Sequence, residues 1–227
     1  MPNKKTIVII VSVLAFFIFS ATIVFAATNS LGDTVRGFTW KEIGRMVDTA
    51  RNDENKNDVV AIINGEPITK EQVLMKKYEL SLSNKNISIE DVQEAVTFDV
   101  VLVQVAKEQD LYPMDEEALE YVDVLRGIYE EGLREVPNNE YLRGMSDYIK
   151  ALGLSEREYW ENDSVVNSYR NLLAIGKLRE KMAIEWGYTE DKLVTTQQID
   201  EFMSTFEGFI NHYVSQAKVT ITDSSAF

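Results

Sequence analysis

Residues 59–74 read VVAIINGEPITKEQVL, and this stretch decides how the folded part of the chain begins. Val59 to Ile63 is short and β-branched, as a strand requires, and Asn64-Gly65 supplies the positive φ angles of a tight turn. Pro67 has no N–H and is expected to block further ladder pairing. Thr69 and Gln72 have the spacing of a capping box, so a helix is expected from Thr69, with Val73, Leu74 and Tyr78 on one side. A lone strand is not stable by itself. The partner of residues 59–63 must therefore come from elsewhere in the chain.

Reading toward the C-terminus, helix dominates. Ser88 caps SIEDVQEAVTFDVVLVQVAKEQDL, residues 88–111, which is apolar on most sides. Its valines suit a strand, but its length and flanking charges favour a long, centrally buried helix. Pro113 ends it, and Asp115 to Glu117 place negative charge at the start of the next helix, where it suits the macrodipole. After Pro137 a helix is expected up to Gly153, then a fresh start with Ser155 as cap and Glu158 in the box position. Another runs from Ser164 to Trp186, closed by Gly187. From Thr196 an aromatic stripe recurs at helical spacing, and Val219 and Ile221 alternate as in a strand. Lys218 to Thr222 is thus the expected partner of Val59 to Ile63. The expected fold is mainly α: a multi-helix domain over residues 59–223, closed by a two-stranded pairing of its N- and C-terminal strands.

Reading toward the N-terminus, Lys4 and Lys5 precede an uncharged, apolar run from Thr6 to Ala27. Residues 1–27 read as an export signal, and two outcomes stay open. At about 1.5 Å per residue the run is long enough to remain as a transmembrane anchor, while Val24-Phe25-Ala26 suits a signal peptidase. Either way the rest of the chain is expected outside the cytoplasm, in the cell envelope or secreted. Residues 28–58 form a juxtamembrane segment and linker. Within it Trp40, Ile43, Val47 and Ala50 share one helical face, which either lies on the membrane or packs on the main domain. Asp53, Asn55 and Asn57 mimic the start of a calcium loop, but Asp58 stands where glycine is needed and Asn64 where the bidentate glutamate belongs. The run reads as solvated chain.

Composition excludes several functions. The 227 residues carry 37 acidic and 23 basic side chains, a net charge of −14. The first 27 residues hold only two of the bases, so the remainder carries 37 acids against 21 bases, a net of −16. Such a surface repels phosphates and argues against nucleic-acid binding. Cysteine is absent, which removes disulfides, thiolate metal sites and cysteine nucleophiles. His212, the single histidine, lies inside a helical pattern with no second ligand nearby in sequence. No phosphate loop or nucleophile elbow is present. No metal, cofactor or catalytic residue is expected.

The order of VVAIINGEPITKEQV, EAVTFDVVLVQVAKEQDL, DEEALEYV and LGLSEREYW resembles the N-terminal chaperone domain of the SurA family, which is related to PrsA and to the trigger-factor chaperone domain. The likeness covers residues 59–186, with the terminal strand as a possible continuation. It implies a helical domain that cradles unfolded or exported polypeptides. Members often insert a parvulin-type prolyl isomerase domain before the last helix. Here only GYTEDKLVT separates Trp186 from Thr196, far short of the hundred or so residues of a small domain. The resemblance thus implies a chaperone without the isomerase.

Adaptable thioethers and rings are the side chains that accept varied apolar segments. Met75, Tyr78, Tyr159, Trp160, Phe202, Met203, Phe206, Phe209 and Tyr213 are accordingly the candidate client-binding residues, although stripes at helical spacing usually bury in a core. The expected function is that of an extracytoplasmic, ATP-independent chaperone. Its partners are unfolded or exported polypeptides, and the membrane if the N-terminal helix is retained. The alternative is a membrane-anchored interaction subunit of one envelope complex.

Overall fold

The computed structural model describes residues 34–35, 38–81, 87–188 and 195–227. A two-residue ladder, β1 (Thr34–Val35) with β2 (Phe38–Thr39), leads into α1 (Trp40–Arg51). Then follow β3 (Val59–Ile63), β4 (Glu66–Thr69), α2 (Lys70–Ser81), α3 (Ile89–Glu108) and α4 (Asp115–Glu135). The remaining elements are α5 (Glu140–Ala151), α6 (Glu156–Trp160), α7 (Asp163–Glu185), α8 (Thr196–Val214), β5 (Val219–Ile221) and a 3-10 turn over Ser224–Ala226.

The fold is mainly helical with a small, unclosed sheet, and two expectations are corrected. The first concerns the sheet, which has three strands in the order β4-β3-β5, all antiparallel, rather than two. Asn64 (φ 52°) and Gly65 (φ 87°) make a two-residue turn, and Pro67 pairs with Ile62 instead of ending the ladder. In such a hairpin the closing pair, Ile63 with Glu66, exchanges the hydrogen bonds, so the next pair does not. The nitrogen of Pro67 then faces the free edge, where a missing N–H removes no ladder bond. Asn64 ties the turn to its surroundings. Its side chain donates to Gln104 Oε1 of α3 at 2.9 Å and accepts from the Lys218 amide at 2.8 Å.

The second correction concerns the membrane. Among the described residues no helix is long and apolar enough to cross a bilayer. The two longest apolar candidates are broken by charge: α3 carries Glu90, Asp91, Glu94, Asp99 and Lys107, and α7 carries Arg170, Lys177, Arg179, Glu180 and Lys181. The signal or anchor expected over residues 1–27 lies outside the described residues. No described helix supplies the span on which the expected membrane helix, the membrane as partner and the envelope location rest, and these expectations are withdrawn.

Capping fixes the helix starts. Thr39 with Glu42, Ser88 with Asp91, Ser155 with Glu158 and Thr195 with Gln198 form reciprocal boxes. Thr69 and Gln72 exchange the same pair of bonds at the entry to α2. Gly153 and Gly187 follow α5 and α7 with φ of 71° and 76°, the left-handed stop that glycine accepts most readily.

Two cores result. An aliphatic core gathers β3, β4, α3, α8 and the C-terminal half of α7 around Ile63, Ile68, Val105, Leu178 and Ile210. Phe227 is also buried there, and Lys77 of α2 donates to its backbone oxygen at 2.8 Å. An aromatic core joins α1, α4, α5, α6 and the N-terminal half of α7. In it Trp160 stacks on Tyr169 and meets Tyr159 edge-on. Burial pushes the Tyr169 phenol well above its ordinary pKa and that of Tyr129 up to about 12. The apolar face of α1 packs on α5 so closely that a Cβ at Gly44 would stand 2.6 Å from Ala151 Cβ. Residues 40–51 are thus part of the packed structure.

Candidate functional site

The site is built on α3. From Ala95 to Ala106 no position of this helix is exposed, and one side of it packs on β3 and α8. Its other side forms a wall of an open cleft of about 1210 Å³, completed by α2, α7 and α8. Apolar lining comes from Leu80, Phe98, Val100, Leu172, Ile175 and Met203. A smaller hollow of about 560 Å³ lies toward α1, lined by Trp40, Met46, Met75 and Tyr78 among others. The two share Gln72, Lys76, Glu79, Asp99, Val100, Ser168 and Asn171.

An ionic trio therefore stands where the hollows meet. Lys76 lies between Glu79, at 2.5 Å, and Asp99 of α3. The lysine side chain is 13% exposed, whereas half the side-chain surface of Asp99 is open to the cleft. Burial alone would lower the Lys76 pKa, but the charges of Asp99 and Glu79 outweigh it and hold the ammonium above its usual range. For Asp99, crowding by the surrounding helices, partial since half its side chain stays open, together with repulsion by Glu79 exceeds the pull of Lys76, so its carboxyl is raised. Farther along the cleft Tyr112 donates to Asn171 Oδ1 at 3.0 Å and carries the Lys107 ammonium 5.0 Å from its ring centroid. The buried hydroxyl of Thr97 bonds back to the Gln93 carbonyl of its own helix at 2.7 Å.

The nine residues named from the sequence fall in five places. Met203 and Phe206 line the large cleft, Phe206 with only an edge since it is 2% exposed. Met75 and Tyr78 line the smaller hollow. Tyr159 and Trp160 are buried in the aromatic core, and Phe202 in the aliphatic one. Phe209 and Tyr213 are half-buried on α8, Phe209 edge-on to Trp186. Cleft residues not singled out from the sequence are Phe98, Val100 and Ile175. For Phe98 and Val100 the signal was the all-round apolar character of α3, which offers more apolar surface than one neighbour can cover.

His212 is exposed and sits 3.1 Å from Gln216 Nε2. Asp53, in the calcium-loop-like run, accepts from Lys70 at 3.0 Å and from the Asn55 amide at 2.9 Å. Among the described residues no group of three or more His, Asp or Glu side chains converges as metal ligands. Compared with protein-family models, with curated proteins and with solved structures, the chain matches none.

Proposed function

We propose that this chain is a chaperone-type protein that holds apolar segments of unfolded polypeptides, without nucleotide, in the cleft between α3 and α8. The observation that carries the reading is the cleft itself. It is open and lined by Phe98, Ile175 and Met203, a mixture of ring, branched chain and thioether that can adapt to varied side chains. The order of its sequence motifs, which resembles that of the SurA chaperone domain, supports the same reading. The test is light scattering from a chemically unfolded protein diluted into buffer with and without the full-length chain. Dose-dependent suppression with unrelated clients is expected, weakened several-fold by Met203→Ser. Absence of suppression by a sample that circular dichroism shows to be helical overturns the reading.

A second reading is favoured by Val124 and Ile128, one turn apart on α4 and 40% and 44% exposed. This pair suits a fixed contact in one particular complex, with the chain as an interaction subunit. A single saturable partner, lost on changing both residues to serine while aggregation is unaffected, distinguishes it.

A further inference from the structure

The large cleft is predominantly acidic: seven carboxylates line it against three cations, Lys76, Lys107 and Arg179. On α8 Asp200, Met203 and Glu207 all line it, so one thioether stands between two carboxylates about 10.5 Å apart along the helix. On α3 Glu94 and Phe98 repeat the motif one turn apart. Glu94, Asp200 and Glu207 are exposed. Among the described residues none of the three has a lysine or arginine within ion-pair distance. Glu79 and Asp99 differ, being committed to Lys76. The unneutralised charge therefore lies on both walls beside the apolar lining, not at the ionic trio.

We propose that the occupant of the cleft is an apolar polypeptide stretch bracketed by lysine or arginine. Its apolar side chains rest on Phe98, Ile175 and Met203, and its cations face Glu94, Asp200 and Glu207. This rests on the reading of the cleft as a polypeptide site and names the class of segment it selects. An apolar stretch flanked by acids meets like charge on both walls and is rejected.

The test uses the full-length chain and three fluorescent peptides that share one apolar core and carry lysine, serine or glutamate on both flanks. Anisotropy titrations are expected to rank them lysine, serine, glutamate, with the lysine peptide about tenfold tighter than the serine peptide at low salt. The advantage shrinks as salt is raised. The triple variant Glu94→Gln, Asp200→Asn, Glu207→Gln is expected to bring the lysine peptide to the affinity of the serine peptide and leave the latter unchanged. Equal binding of lysine and serine peptides to the unmodified chain overturns the charge inference while leaving the polypeptide site intact. Failure of all three to bind overturns both. Persistence of the lysine preference in the folded triple variant overturns its assignment to these three carboxylates. If that variant does not fold, the salt titration of the unmodified chain decides.

Discussion

The indole of Trp40 rests directly on the backbone of Gly144. A Cβ built at position 144 would overlap the pyrrole edge of the ring. Trp40 is 7% exposed and its ring also meets Tyr141 edge-on at 5.6 Å. Gly144→Ala is expected to force the indole out and cost about 1–3 kcal/mol, as overpacked cores do. Trp40→Ala should cost about 3–5 kcal/mol through the cavity it leaves. Because each substitution removes the contact that the other disturbs, the double variant should lose less than the sum. Urea titrations of the three variants check this, and strict additivity would show that the two residues do not bear on each other.

Two glycines make a conformational control. No atom lies within 4 Å of a Cβ built at Gly65 or at Gly127. Gly65 has φ of 87°, whereas Gly127 lies inside α4. Gly65→Ala is therefore expected to destabilise by about 1 kcal/mol, and Gly127→Ala to stabilise by about 0.5–1 kcal/mol. Shifts of the same sign in the two melting temperatures would contradict this account.

Three caps should weaken in acid. Glu42, Asp91 and Glu158 accept bonds from Thr39, Ser88 and Ser155, first the backbone N–H for Glu42 and Asp91 and first the hydroxyl for Glu158, and each pKa is lowered. A lowered folded-state value means that the stabilisation is fully present above the ordinary carboxylate range and is lost as pH falls through the folded value. The expected window thus lies below about pH 4.5. The boxes built with Gln72 and Gln198 do not titrate. Replacing Glu42 and Glu158 by glutamine should flatten the dependence of melting temperature on pH in that window. An unchanged slope would remove the caps as its source.

Lys76→Met leaves Glu79 and Asp99 facing each other without their shared cation. At neutral pH the loss should be about 1–3 kcal/mol, below that of a fully buried pair because Asp99 is half open to water. Asp99 already titrates high, and a raised folded-state value means that protonation favours the folded form. Without Lys76 the influences that lower the Asp99 carboxyl are gone, so acidification relieves the variant more than the parent and the gap between them should narrow as pH falls through the raised Asp99 value. A gap that widens over this range would show that Lys76 is not what holds the carboxylates together.

Most of what could be read from sequence was local, apart from the expected pairing of residues 218–222 with 59–63, which the β3–β5 ladder shows. The Thr69–Gln72 and Ser155–Glu158 boxes, the stops at Gly153 and Gly187 and the Asn64-Gly65 turn involve residues within a few positions of one another, and short-range chemistry settles them. The role of Pro67 was not local, because its effect depends on which side of β4 has a neighbour. The stripe of α1 showed that one face is covered but not that α5 covers it. The cleft was hidden for a related reason. Met203 and Phe202 are adjacent in one helical stripe, yet one borders open space and the other is 4% exposed, and only the placement of α3 beside α8 separates them.

The pairing of β3 with β5 joins Ala61 to Ile221 and Ile63 to Val219. During synthesis the first strand of the sheet is made long before its central position can be occupied on both sides. At about 5–20 residues per second, the interval for the intervening chain is roughly 10–30 s. Through that time the face of α3 that α8 will cover has no cover of its own. The nascent chain must pass through an interval in which it carries uncovered apolar surface and an unpaired strand edge, and its own yield depends on whatever shields it until residue 221 has been made.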